Sequence, residues 1–159
     1  MIDEQLRAFL ERGCALIVAT AGPDLTPHAQ RAWGCSVTGA DEVRLLLDGS
    51  DLVQRENLAA RGRIAVTSAD VRDLRSVQLK GRVVAIEEDP TADDLDRCEV
   101  HNAELFTDIE VTDHFPRALV ERMVPRSYVV AVVHVVELYD QTPGPSAGSR
   151  VGGGGPGDR

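Results

Sequence analysis

Apolar and polar positions along the chain change rhythm several times, and each change predicts an element. Ile2, Leu6, Phe9 and Leu10 recur at helical spacing, with Asp3 placed to cap the start and Gly13 to stop the end, so a short amphipathic helix opens the chain. CALIVATAG then reads as a buried strand, GPDLTP as a turn, and HAQRAWGCSVTG as a second strand able to form a hairpin with the first. EVRLLLD gives a third strand, after which Gly49 and Ser50 lead into LVQRENLAARG, where Leu52, Val53, Leu58 and Ala59 trace a helix closed by Gly62. RIAVTSAD and SVQLKGRVVAIE supply a fourth and a fifth strand across a polar turn that holds Arg72, Asp73 and Arg75.

The fifth strand alternates clearly. Val77 and Leu79 share one face, while Ser76, Gln78 and Lys80 share the other, until Gly81 interrupts the run. One face suits a core; the other suits solvent or something polar. Pro90 and TADDLDRCEVHNAELF predict a helix beginning near Thr91, and FPRALVERM a further helical piece. SYVVAVVHVVELYD is a last long strand with little polar alternation, as expected when both faces are covered by a core and by another element or subunit.

Six strands with short connections, one helix after the third and a helical excursion before the last, describe a mainly β (α+β) fold: a six-stranded antiparallel barrel with peripheral helices. At 159 residues and 43% hydrophobic content the chain is sized for one core, placed here in residues 1–141. From residue 142 to 159, proline, glycine and small polar residues dominate, which predicts a flexible tail.

Charge narrows the partners. With 26 acidic against 17 basic residues, a net charge of -9 argues against nucleic acid and against an acidic membrane surface, while leaving room for a local basic pocket. The N-terminus lacks the layout of a signal peptide and YVVAVVHVVELY is too short to span a bilayer, so a cytoplasmic protein is expected. Cys14, Cys35 and Cys98 are odd in number and far apart, and are read as reduced thiols.

The ordered set RAWGCSV, EVRLLLDGS, QRENLAARGRIAVTSAD and RSVQLKGRVV resembles the flavin-binding split-barrel family related to pyridoxamine 5'-phosphate oxidase. The resemblance implies a homodimer of six-stranded split barrels with FMN held in grooves at the subunit interface. A flavin phosphate needs cationic and N–H donors, and Arg31 on the second strand, with Ser50, Gln54 and Arg55 around the start of the following helix, are the candidates. The alternative for these four is an ordinary capped helix with surface arginines.

Gln78 and Lys80 occupy the strand position where family members commonly contact flavin, so their face is expected to line the cofactor groove. Glutamine would donate and accept hydrogen bonds, and lysine would place positive charge near the pyrimidine ring. Trp33 reads either as a wall of the site or as a packed barrel aromatic, and Asn57 as a junction hydrogen-bonder rather than a ligand. One departure matters. The pyridoxamine phosphate oxidases carry a C-terminal arginine and histidine that grip substrate, whereas this chain ends in ELYDQTPGPSAG and a glycine-rich stretch, so that substrate is not implied.

The expected activity is therefore an FMN-dependent oxidoreductase acting on a small-molecule substrate or electron donor. A non-enzymatic flavin carrier and a haem-binding or deazaflavin-binding split barrel are the alternatives, with His134 as the histidine a haem could use. No metal is expected: Cys98, His101 and Glu104 share a helical face without a fourth partner. Neither a G-x-S-x-G turn nor a calcium-loop spacing is present.

Overall fold

A computed structural model describes residues 1–151 of the chain. Helix α1 (Glu4–Leu10) begins where the Asp3 carboxylate accepts from the Leu6 N–H at 2.8 Å. Its end differs from the sequence expectation. The cap is Glu11 in a right-handed conformation, and Gly13 serves instead as the point where a later helix comes closest: a Cβ there would collide with the Glu104 side chain and the Leu105 backbone. Helix α2 (Leu52–Arg61) is capped by Asp51, which accepts from Gln54 N–H at 3.0 Å, and stops at Gly62 with φ 59°. Helix α3 (Ala92–Asp113) starts with a capping box between Thr91 and Asp94 and runs to a left-handed His114. A short turn of helix, α4 (Arg117–Val120), follows and leads through a 3-10 turn into the last strand.

The strands are β1 (Ala15–Ala21), β2 (Pro27–Val37), β3 (Glu42–Asp48), β4 (Arg63–Ala69), β5 (Ser76–Glu87) and β6 (Tyr128–Asp140). They close into an antiparallel barrel in the order β1-β2-β3-β6-β5-β4. The predicted fold class is the observed one. Period-two alternation sends Leu16, Val18, Leu45, Val66, Leu79 and Val133 inward, where they share one apolar core. Leu6, Phe9 and Leu10 of α1 join that core from one end, where Arg7 donates to the Val37 carbonyl at 2.7 Å. Leu58 of α2 joins it from the other, where Asn57 donates to the Thr20 hydroxyl at 3.1 Å.

A second cluster lies outside the barrel. Trp33, Leu46 and Val130 on the outer face of β2, β3 and β6 pack against Cys98, Leu105 and Phe106 of α3. The covered character predicted for β6 arises here, because Val129 to Val133 are buried between the barrel interior and this helical layer.

Along the far half of β6 the pairing is one-sided. Strand β6 pairs with β3 only from Tyr128 to His134, but with β5 as far as Asp140. The edge left unpaired is taken by the segment that composition assigns to a flexible tail. After a turn through Gly144 and Ser146 the chain comes back, Val151 N–H donates to the Leu138 carbonyl at 2.8 Å, and Arg150 bridges antiparallel to Tyr139. The segment predicted as a flexible tail thus pairs back on β6 through residues 148–151; residues 152–159 lie outside the described residues.

Candidate functional site

Helix α3 covers only part of the barrel's outer surface. On the remaining strands the register builds two parallel rows of outward side chains. One row runs Arg31, Ile17, Thr67, Gln78, Tyr139 across β2, β1, β4, β5 and β6. Its neighbour runs Ala29, Ala19, Ala65, Lys80, Glu137. Three strand spacings separate Arg31 from Gln78, roughly 14 Å. Between the polar ends the floor is small and apolar, with Ile17 42% exposed. Part of this face forms an open groove of about 410 Å³ whose lining includes Ala19, Ala65, Lys80 and Glu137.

The polar groups on this face are oriented by one another. Gln78 Nε2 donates to the Thr67 hydroxyl at 3.1 Å, and its amide oxygen has no donor among the described residues. Lys80 Nζ lies 4.4 Å from the centroid of the Tyr139 ring, and the Tyr139 hydroxyl donates to Glu137 at 3.0 Å. That hydrogen bond to a carboxylate raises the phenol's pKa above its ordinary value. At the other end, the Arg31 guanidinium sits 5.7 Å from the Trp33 ring, with its Nη1 buried and unpartnered. Burial lowers its pKa.

The residues around α2 are disposed differently. The Ser50 hydroxyl and N–H both donate to Asp48, at 2.6 and 2.8 Å. Arg55 donates to Glu88 at 2.6 Å and to the Gly49 carbonyl at 3.3 Å. Asp51 caps the helix and also meets His28 Nε2 at 2.7 Å. Gln54 is fully buried, with neither side-chain polar atom hydrogen-bonded. Ser50 and Arg55 are thus already matched to carboxylates while the Gln54 amide is not, and an incoming dianion would also face Asp48 and Asp51.

Trp33 is buried beneath α3 instead of walling a groove. A β-bulge between Ala32 and Gly34 turns it outward into the helical layer, where it fills space against Leu105 and Phe106. The sequence-predicted residues therefore divide into three groups. Arg31, Gln78 and Lys80 share the uncovered face; Ser50, Gln54 and Arg55 sit on the barrel's end; Trp33 belongs to the packing. Thr67, Tyr139 and Glu137 complete the face and were not singled out from sequence, because only strand register sets them beside Gln78 and Lys80.

A concavity of about 890 Å³ lies elsewhere, and Arg44, Glu87 and Asp94 are part of its lining. Arg44 there donates to Asp94 at 2.8 and 2.9 Å and to Glu87 at 2.7 and 3.1 Å. These hydrogen bonds hold the Asp94 carboxyl down to about 2, so the charges satisfy one another and tie α3 to the barrel. Two of the thiols are held protonated: burial pushes Cys14 up to about 11 and Cys35 to about 12. Cys98 accepts from Asn102 at 3.3 Å, and Glu104 is held by the Gly13 N–H at 2.7 Å, so the helical trio of Cys98, His101 and Glu104 is committed to packing.

The chain has the architecture of several solved proteins. HupZ from Group A Streptococcus superposes with a TM-score of 0.59 at 14% identity, over 93% of this chain and 100% of that one. An F420 reductase gives 0.53 at 18% identity, covering 86% of this chain and 98% of its own. General Stress Protein 26 from Bacillus anthracis gives 0.51 at 14% identity, with 86% and 90% covered. At such identities the likeness is one of fold. No curated protein matches the sequence. The family model described as pyridoxamine 5'-phosphate oxidase matches residues 2–141, nearly the whole barrel from α1 to the end of β6. The chain belongs to the pyridoxamine 5'-phosphate oxidase family.

Proposed function

We propose that this protein binds FMN on the uncovered outer face of β1, β4 and β5 and works as a flavin-dependent oxidoreductase. The observation that carries the reading is the two-row mosaic itself. A flat aromatic ring needs an apolar floor without protruding side chains, plus donors and acceptors at one edge. Ala19, Ala29, Ala65 and Ile17 supply such a floor, and Gln78 and Lys80 such an edge. A flavin bound there supplies hydride chemistry at its N5.

This chain's residues would do the rest. Lys80 places a cation beside the ring's electron-accepting end, favouring an anionic reduced form, and the free Gln78 oxygen accepts from a ring N–H. Arg31 stands at the opposite margin of the row, with its guanidinium against the Trp33 ring. A second copy of the chain across this face would exclude water from the exposed Ile17 and complete the groove as a homodimer, as the resemblance to the family implies.

The test is the absorbance spectrum of the purified protein, repeated after FMN addition and desalting. Bands equivalent to about one FMN per chain are expected, with a dimer by analytical ultracentrifugation. A folded protein that retains no flavin and takes up haem with a Soret band would overturn the reading. The F420 reductase fold makes a deazaflavin the informative competitor in the same titration.

A further inference from the structure

We infer that Arg63 and Arg82, together with Lys80, form an anion-binding position on the groove, built for the phosphate or carboxylate of a small molecule. Arg63 and Arg82 stand directly opposite each other on β4 and β5. Like charges in that relation repel, which a sequence with 26 acidic residues had ample means to relieve. It does so elsewhere: Arg12, Arg44, Arg55 and Arg72 each hold a carboxylate. Among the described residues Arg63 and Arg82 hold none.

Both arginines line the same groove of about 410 Å³ as Lys80, with Ala65 and Gly81 as low ground beside them. Gly81 has a structural reason to stay small, since a Cβ there would come within 2.5 Å of the His134 carbonyl oxygen. The carboxylate of the groove is Glu137, which stands opposite Lys80 and receives the Tyr139 hydroxyl. On the other ladder Arg82 faces His134, itself 3.7 Å from Asp41. Two opposed arginines that line one groove and hold no carboxylate among the described residues offer forked donors that an oxyanion can take bidentately. The start of α2, by contrast, presents carboxylates to such a group.

The inference stands on these cations and does not require flavin. In flavin-free protein, inorganic phosphate should raise the melting temperature more than sodium chloride at equal ionic strength, and Arg63→Ala with Arg82→Ala should abolish the difference. Without phosphate the double variant should be at least as resistant to urea as the parent, because opposed charges are gone; this separates loss of binding from loss of fold. FMN and riboflavin then locate the anion's source. If the parent prefers FMN about tenfold and the variant loses that preference, the site holds the cofactor's own phosphate. If the preference survives while the phosphate response vanishes, the site serves a separate anionic molecule. A phosphate response that is absent from the parent, or unchanged in the double variant, overturns the inference.

Discussion

The barrel's outer surface has two halves made from the same kind of strand and put to opposite uses. Under α3, Trp33, Leu46 and Val130 are buried and meet Leu105 and Phe106 in a dry layer. Across β1, β4 and β5, the equivalent outward positions hold Ala19, Ala65, Thr67, Gln78 and Lys80 and meet no helix. Large apolar residues on the first half would be a liability if uncovered, while the small and polar residues on the second give a covering helix little to grip. Residue size on alternate strand positions therefore decides where packing ends and ligand chemistry can begin.

The comparison breaks most severely if the covered half is emptied. Leu105→Ala should cost about 3 kcal/mol of stability by urea unfolding, through lost burial and the cavity left under α3. Ligand binding by the folded fraction should be unchanged. A loss below about 1 kcal/mol would show that α3 is a loose appendage.

The same layer should give the protein a pH dependence that the open half lacks. His101 is fully buried there with neither ring nitrogen in an aligned hydrogen bond. Burial pushes its pKa down to about 4; the Arg12 carbonyl nearby offsets part of that shift and the Arg31 charge adds to it. The unfolded chain then takes up the proton first as pH falls below about 6.5, so stability is fully present above that value and declines until about pH 4, by about 3 kcal/mol. Urea melts across this range should show the slope, and His101→Gln should remove it.

A smaller acid effect comes from the ion pair that fastens α3. Asp94 is held at about 2 by Arg44, below its unfolded value near 3.8, so its contribution is present above roughly pH 4 and is lost as pH falls toward 2. The loss should be about 2 kcal/mol, and Arg44→Ala should flatten that arm of the profile. The smallest stability effect belongs to the open half. Gln78→Ala with Lys80→Ala should change stability by less than about 1 kcal/mol while weakening flavin binding at least tenfold. Fluorescence quenching of FMN in the titration separates the two quantities; undiminished affinity in the double variant would remove both residues from the site.

Local rules made much of this legible in sequence. The Asp3 cap, the Thr91 start of α3 and the β1–β2 hairpin each depend on neighbours a few residues away. The alternation of Val77, Gln78, Leu79 and Lys80 likewise reported faithfully which face is core. What sequence could not carry was register. That Arg63 meets Arg82, or that Tyr139 stands over Lys80, follows from pairings between distant segments, fixed only when the barrel closes. Trp33 reads from sequence as either site wall or packed aromatic, and one bulge decides which surface it joins. For the segment after Asp140, composition describes the unfolded chain but says nothing of a strand edge within reach.

That returning segment also acts as a guard. Strand β6 from Val135 to Asp140 lacks a β3 neighbour, and it is rich in valine, leucine and tyrosine. Bare edges of that kind template cross-molecular sheet growth. By laying Arg150 and Val151 along it, the chain spends a few glycine- and proline-bounded residues to keep its own seam from recruiting a stranger's strand.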